Sequence, residues 1–352
     1  MSQWFDQLQQ AVEACEHATH AWQIGDGRLL LCDHAARVLA CELPGVADNL
    51  FWHDPALAGA ETAAPLLAKG GPFGGDRFWV APEVGFIWKD LAAARVDPIS
   101  TAELPVAMDP GEWGVIEQED GRLVWAATMA LRDHRSGKKI TLNVSREVLE
   151  LGPPTDLPAG VSHVSFAVRH DLSLVQGDEQ AVAGAWQLLQ IPPGGTLVCP
   201  TTGPAGRPRV YFDEPGPDNL RVDDRAVRFF VGGPGRVKVG LRADQTAGRM
   251  GYYRPLEDGA ATLIARWFLP QPGEVYVDLP RDSDALVGGD TLQAYSDDGT
   301  YGGFGEMEHH EPAIVVGEGP SLRSGTSVTH VLTGPDAAIR ELTHQLVGES
   351  VQ

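Results

Sequence analysis

The chain has 352 residues, 43% of them hydrophobic and 21% charged, the profile of a folded protein rather than a disordered one. It carries 27 Lys+Arg against 48 Asp+Glu, a formal net charge of -21, and no Lys/Arg-rich run. That balance argues against nucleic acid as a partner and leaves solubility as the plain meaning of the excess acid. No apolar run approaches the roughly 20 residues of a membrane helix, so no membrane partner is expected. The segment Met1 to Gln10 lacks the basic and apolar regions of a secretory signal, so a cytoplasmic location is the expectation.

Residues 3–18 repeat apolar positions at helical spacing, so the first 20 residues read as an N-terminal helix. Four cysteines (Cys15, Cys32, Cys41, Cys199) contain no C-x-x-C pair and are too few for a disulfide framework. Beyond the helix, 41 Gly and 26 Pro fall between short apolar runs rather than in one linker, the pattern of many strands joined by tight turns. Asp-Gly pairs at Asp26-Gly27, Asp120-Gly121, Asp258-Gly259 and Asp298-Gly299 take the positive φ angles of hairpin turns. Apolar flanks at 113–118 and 122–131 make the second of these a hairpin. Further strands are predicted at 139–148, 163–168, 195–199, 226–231, 236–241, 261–268, 274–279, 304–316 and 326–332. Pro335-Asp336 opens a C-terminal helix within 335–352. With helical signals confined to the ends, the reading is an all-β, antiparallel β-supersandwich forming a single domain over residues 1–352.

Two segments carry the candidate chemistry. In Gly74-Gly75-Asp76-Arg77-Phe78-Trp79-Val80-Ala81-Pro82-Glu83, an arginine stands between glycines and rigid apolar walls. A guanidinium fixed there offers a planar fork to hydroxyls or a carboxylate, and Trp79 suits the C–H face of a sugar. The alternative is that Arg77 pins a strand edge by pairing with Asp76 or Glu83. In 304–316, strand alternation puts Glu306, Glu308 and His310 on one face and Met307, His309 and Glu311 on the other. Two close carboxylates raise at least one pKa, as general acid–base work requires. The same trio has the donors of a divalent-metal site, or is a solvated edge strand. His163 and His170, seven apart, face opposite sides of one strand, so at most one enters a given site. Lys238 is a sugar-hydroxyl donor or a surface residue; Trp186 and Trp88 are core or platform; Tyr252, Tyr253 and Arg254 form a polar-aromatic cluster without an assigned role. No nucleophile elbow, Walker loop, dinucleotide fingerprint, H-E-x-x-H or EF-hand pattern occurs, and no cofactor is expected.

In this order the motifs resemble the galactose mutarotase-like (aldose 1-epimerase-like) superfamily, in one of its bacterial branches of unknown-function domains. Gly75 to Glu83 is similar to its G-x-R-x-W-x-x-P-E stretch, and Ala185-Trp-Gln-Leu-Leu-Gln-Ile-Pro-Pro-Gly-Gly195 to a W-x-x-x-Q-x-x-P-G-G strand and turn. Lys238-Val-Gly240 resembles a following K-x-G element, and Gly305-Glu-Met-Glu-His-His-Glu-Pro312 the late strand bearing the epimerase base. The resemblance implies a sugar cleft on a concave sheet. Glu308 or Glu306 would be the general base and His170 the acid, with Arg77 as anchor and Trp79, Glu83, His310, Lys238 and Trp186 as substrate contacts. It points to an epimerase-like isomerase of a small sugar. A non-catalytic sugar-binding protein and a metal-assisted glycoside lyase or hydrolase are the alternatives.

Overall fold

Asp120-Gly121 reverses the chain between strands Gly114–Glu119 and Arg122–Arg132, with Gly121 at φ +67°, as its sequence predicts. Asp258 (φ +59°) and Gly259 (φ +75°) do the same between Arg249–Pro255 and Ala260–Trp267. The other two Asp-Gly pairs behave differently. The first turn is Gly25-Asp26, because Ile24 pairs with Gly27, and a Cβ on Gly27 would lie 2.2 Å from the Glu42 carbonyl oxygen. Around Asp298-Gly299 the loop 297–304 is held open by Asp297, whose Oδ2 accepts from the backbone N–H groups of Gly299, Tyr301 and Gly303.

The structure is a computed structural model that describes residues 2–203 and 208–351. Among these residues two ten-stranded antiparallel sheets pack face to face as a sandwich. The first sheet runs Thr19–Ile24, Gly27–Cys32, Arg37–Glu42, Asp76–Ala81, Val182–Ile191, Gly305–His310, Leu292–Ser296, Val237–Leu241 and Arg209–Val210, with Ile314–Val315 added beside Val182–Ile191. The second has the long strands Lys139–Leu151, Ser162–Gly177 and Leu322–Pro335 at its centre. Leu189, Ile191 and Met307 from one sheet meet Trp125, Phe166 and Ile264 from the other in the main apolar core.

Several sequence-based boundaries shift. The N-terminal helix is Gln3–Glu13, not residues 1–20: the chain turns at Glu16 (φ +64°), and Thr19 already pairs with Cys32. Residues 274–279 form no strand, though Tyr276, Val277, Asp278 and Leu279 are buried. The run 304–316 divides into Gly305–His310 and Ile314–Val315, broken at Pro312, which has no N–H for a ladder. Helices also occur inside the chain, at Ala60–Lys69, Glu83–Ile87 and Leu91–Val96. The alanine-rich stretch 60–69 has helical propensity that the Gly/Pro count concealed. The C-terminal helix is Asp336–Val347, inside the 335–352 read from sequence, and it ends at a left-handed Gly348. All four cysteines are free thiols, and no described helix is long and apolar enough to cross a membrane.

One buried charge cluster ties the sheets together. Asp76, wholly buried, accepts from Arg146 Nη2 at 2.7 Å, from Arg266 Nη2, and from Gln187 Nε2 at 2.9 and 2.8 Å. Burial alone would raise the Asp76 carboxyl, but the Arg266 and Arg146 guanidiniums outweigh it and hold it below the usual carboxylate range.

Candidate functional site

Strand register assembles the site. Arg77 lies opposite Leu188, Leu188 opposite Glu308, and Glu308 opposite Gln293. In the neighbouring rows Trp79 faces Trp186 and Trp186 faces His310, while Gln190, Glu306, Tyr295 and Lys238 follow one another across four strands. Since strand side chains alternate, all of these point to the outer face of the first sheet; Asp76, Gln187 and His309 point inward to the second.

Arg77 is thereby separated from its sequence neighbour Asp76, and its ion-pair partner is Glu306, with Nη1 to Oε1 at 2.8 Å. Its guanidinium also stacks 4.2 Å over Trp79, whose indole N–H donates to Asp109 at 2.7 Å. Lys238 is buried. Its ammonium donates to Glu308 Oε2 at 3.0 Å, lies 3.3 Å from Glu83 Oε2 and sits 4.6 Å over the Trp186 ring. Trp186 Nε1–H donates to the same Glu308 oxygen at 2.9 Å. Burial and the carboxylates of Glu306 and Glu83 push the Glu308 carboxyl up to about 8, against the pull of Lys238. For Lys238 itself burial is the opposing effect, and Glu308, Glu83 and Asp278 overcome it to keep the amine charged.

His310 stacks on Trp186 at 5.2 Å, with its Nε2 3.0 Å from Gln293 Oε1. The Gln293 amide N–H is already given to Asp278 Oδ2 at 2.8 Å, which orients the amide so that its oxygen accepts from His310 Nε2–H. Burial and the nearby Lys238 hold His310 well below its usual value, so the ring is neutral and Nδ1 is an acceptor. Several of these buried atoms have no hydrogen-bond partner among the described residues: Glu308 Oε1, His310 Nδ1, Arg77 Nε and both amide atoms of Gln190. Buried polar atoms are seldom left so, and five of them lie on this one face of the sheet.

His170 does not join this set. It is 2% exposed between the sheets, its Nε2 2.8 Å from Arg146 Nη1 and its ring 4.8 Å from Phe78. Glu308 lies on the opposite face of the first sheet, so a proton cannot pass directly between them. Burial first, then Arg146, keeps the His170 imidazole neutral. His163, on the same strand, sits near Asp26 at 3.9 Å. The trio Glu306, Glu308 and His310 is spent on Arg77, on Lys238 with Trp186, and on Gln293. Among the described residues no three acidic, histidine or cysteine side chains converge as metal ligands. Glu83 opens the short helix Glu83–Ile87 and stands half-buried at the rim, its backbone N–H bound to Asp278 Oδ1 at 2.8 Å.

A model described as a family of unknown function, DUF6786, matches residues 36–352. The chain belongs to that family. Among solved structures, this DUF6786 chain is similar to a protein from Escherichia coli K12 described as a candidate aldose 1-epimerase, at 14% identity and a TM-score of 0.50. That match covers 91% of this chain and 99% of the other. A galactose mutarotase-like protein from Lactobacillus casei ATCC 334 matches at 10% identity and a TM-score of 0.48, covering 89% and 100% of the two chains. A galactose mutarotase related enzyme from Lactobacillus acidophilus matches at 10% identity and a TM-score of 0.43, covering 89% and 97%. A comparison with curated proteins finds no match. At such identities the first likeness shows the galactose mutarotase-like fold and nothing finer.

Three contributors to the DUF6786 site were not picked out from sequence: Gln190, Gln293 and Asp278. Gln190 is the glutamine of the W-x-x-x-Q-x-x-P-G-G stretch but was given no role of its own. Gln293 and Tyr295 show the one available signal, polar residues alternating with Leu292 and Ala294 on a buried strand. Asp278 acts from an irregular segment, which no periodicity reveals.

The buried ionisable groups set an expected stability profile. Glu308 and Glu311 have folded-state values near 8 against an ordinary 4.5, so the stability they contribute is full below about pH 4.5 and is lost as pH rises toward 8. His170, His309 and His310 lie well below 6.5, so their contribution is present above pH 6.5 and is lost as pH falls below it. Chemical denaturation should therefore show a maximum between about pH 5 and 7, with a fall on each side. A midpoint still rising from pH 7 to 9 would contradict this picture of the buried acids.

Proposed function

We propose that this protein binds a sugar on the outer face of its first sheet and exchanges its anomers. The observation that carries the reading is Glu308: one oxygen fixed by Trp186 and Lys238, the other unpartnered, on a carboxyl whose affinity for protons lies near neutrality. Such a group takes and returns a proton with little penalty in either direction. Glu308 removes the proton of the anomeric hydroxyl and delivers it to the ring oxygen as the C1–ring-oxygen bond opens. Both oxygens are attached to C1, so one carboxylate spans them. Rotation about C1–C2 and the reverse transfer close the other anomer, with every proton accounted for. Lys238 supplies fixed positive charge beside the developing oxyanion. Arg77, Gln190 and His310 Nδ1 hold ring hydroxyls, and Trp79 and Trp186 border the ring. The likeness in fold to a candidate aldose 1-epimerase supports this class of reaction.

The test is anomer exchange followed by polarimetry or NMR saturation transfer on purified protein, across neutral and acidic aldoses. Acceleration of at least one sugar is expected. Calorimetric binding that needs Arg77, without acceleration of any sugar, would favour a sugar-binding protein without turnover.

A further inference from the structure

Among the described residues, two arginines at the rim of the site have no carboxylate in ion-pair contact. Arg236 and Arg281 stand over the same aromatic ring, Phe212, with guanidinium carbons 4.7 and 5.4 Å from its centroid. Arg281 also lies 5.3 Å from the Trp88 ring and donates from Nη1 to the Ala94 carbonyl at 3.3 Å. Among the described residues neither guanidinium has a carboxylate within ion-pair distance, whereas Arg28, Arg122, Arg146 and Arg266 each contact one or two. Arg132, Arg135, Arg221, Arg249 and Arg254 also lack an ion pair among the described residues; what sets Arg236 and Arg281 apart is the aromatic ring that the two share.

The carboxylates around the pair act only at longer range, Glu83 and Asp282 on Arg281 and Asp298 on Arg236, while the Tyr301 hydroxyl is a hydrogen-bond neighbour of Arg236. Burial and the charge of Arg236 both push Arg281 below its ordinary value, the sign of two like charges held close without neutralisation. All of Arg236, Arg281, Phe212 and Tyr301 are half-buried, so the pair opens to solvent while stacked firmly enough to hold its planes. Glu83 connects it to the interior, being 3.3 Å from Lys238, which is 3.0 Å from Glu308.

We infer that Arg236 and Arg281 form an anion subsite, and that the preferred ligand is a sugar carrying a negatively charged substituent, a phosphate or carboxylate, away from its anomeric carbon. The inference rests on the sugar reading above and narrows its substrate class. Paired guanidiniums offer several coplanar donors to an oxyanion, and stacking on Phe212 and Trp88 lowers the entropy lost in binding it. From Glu308 the contacts run through Lys238 and Glu83 toward Arg281, so with the anomeric centre at Glu308 a substituent away from C1 is the part of the ligand placed to reach the pair. Because the surface is acidic, general attraction of anions does not explain such a preference.

The experiment is calorimetry on the full chain with glucose, glucose 6-phosphate, glucuronate and inorganic phosphate. At least one anionic sugar should bind about tenfold or more tighter than glucose, which is the size expected of charge-assisted hydrogen bonds. In Arg236→Gln/Arg281→Gln that ratio should fall toward one, and the Arg→Lys pair should keep part of it. The phosphate and carboxylate probes separate the two anion types. Equal affinity for glucose and both anionic sugars, or a preference retained in the Gln pair, overturns the subsite while leaving the sugar reading intact. Arginine-dependent binding of inorganic phosphate with no sugar binding supports the subsite and removes the sugar reading instead. Circular dichroism of the variants, which alter half-buried rim side chains only, separates loss of binding from loss of fold.

Discussion

Glu308→Gln is expected to lower the rate of anomer exchange by about 10²–10⁴-fold, the usual worth of a positioned general base. The amide still accepts the Trp186 N–H, and Lys238 keeps Glu83 at 3.3 Å, so the sheet and the sugar contacts survive. The effect should therefore fall on kcat far more than on KM. Wild-type activity should rise with pH as Glu308 loses its proton toward pH 8, and that limb should vanish in the variant. Glu306→Gln provides the contrast. Its partner Arg77 is a binding group, so KM should rise while the pH limb persists. A Glu308→Gln protein that keeps a third of the wild-type rate would remove Glu308 from the chemistry.

Asp76→Ala is expected to destabilise the fold by about 3–5 kcal/mol, the range for breaking a buried ion pair by removing one partner. The reason is electrostatic. Arg146 and Arg266 are fully buried, and Asp76 is the carboxylate that both contact. Without it two guanidiniums, and the Gln187 amide, remain in a low-dielectric interior between the sheets. Replacing all three charges together by apolar residues should cost far less, since desolvation and attraction then disappear as one. Urea denaturation of the single and triple variants decides this. A loss below about 1 kcal/mol for Asp76→Ala would show that water reaches the cluster and that the sheets do not rely on it.

The adjacency of Asp76 and Arg77 shows how little of the site a linear reading resolves. Strand alternation correctly put Glu306, Glu308 and His310 on one face, because a period of two is a property of the extended backbone. It could not say that Arg77 would meet Glu306 from over two hundred residues away, or that Asp76 would turn inward. His170 illustrates the same limit: order along the chain suggested it as the acid, and sheet packing put it behind the wall that carries Glu308. Lys238 was ambiguous for a related reason. A lysine flanked by valines reads as solvent-facing until two carboxylates from other segments are seen to hold it.

The amino-acid order alone determined the antiparallel sandwich, its principal turns, the terminal helices and the candidate face of the late strand, because these follow from local dihedral preferences and periodicity. Only tertiary structure decided which charges neutralise one another, which remain unanswered at the rim, and which carboxyl holds its proton near neutrality. Those outcomes depend on desolvation and on Coulomb partners brought together by strand register, and neither is encoded within a few residues of the groups concerned.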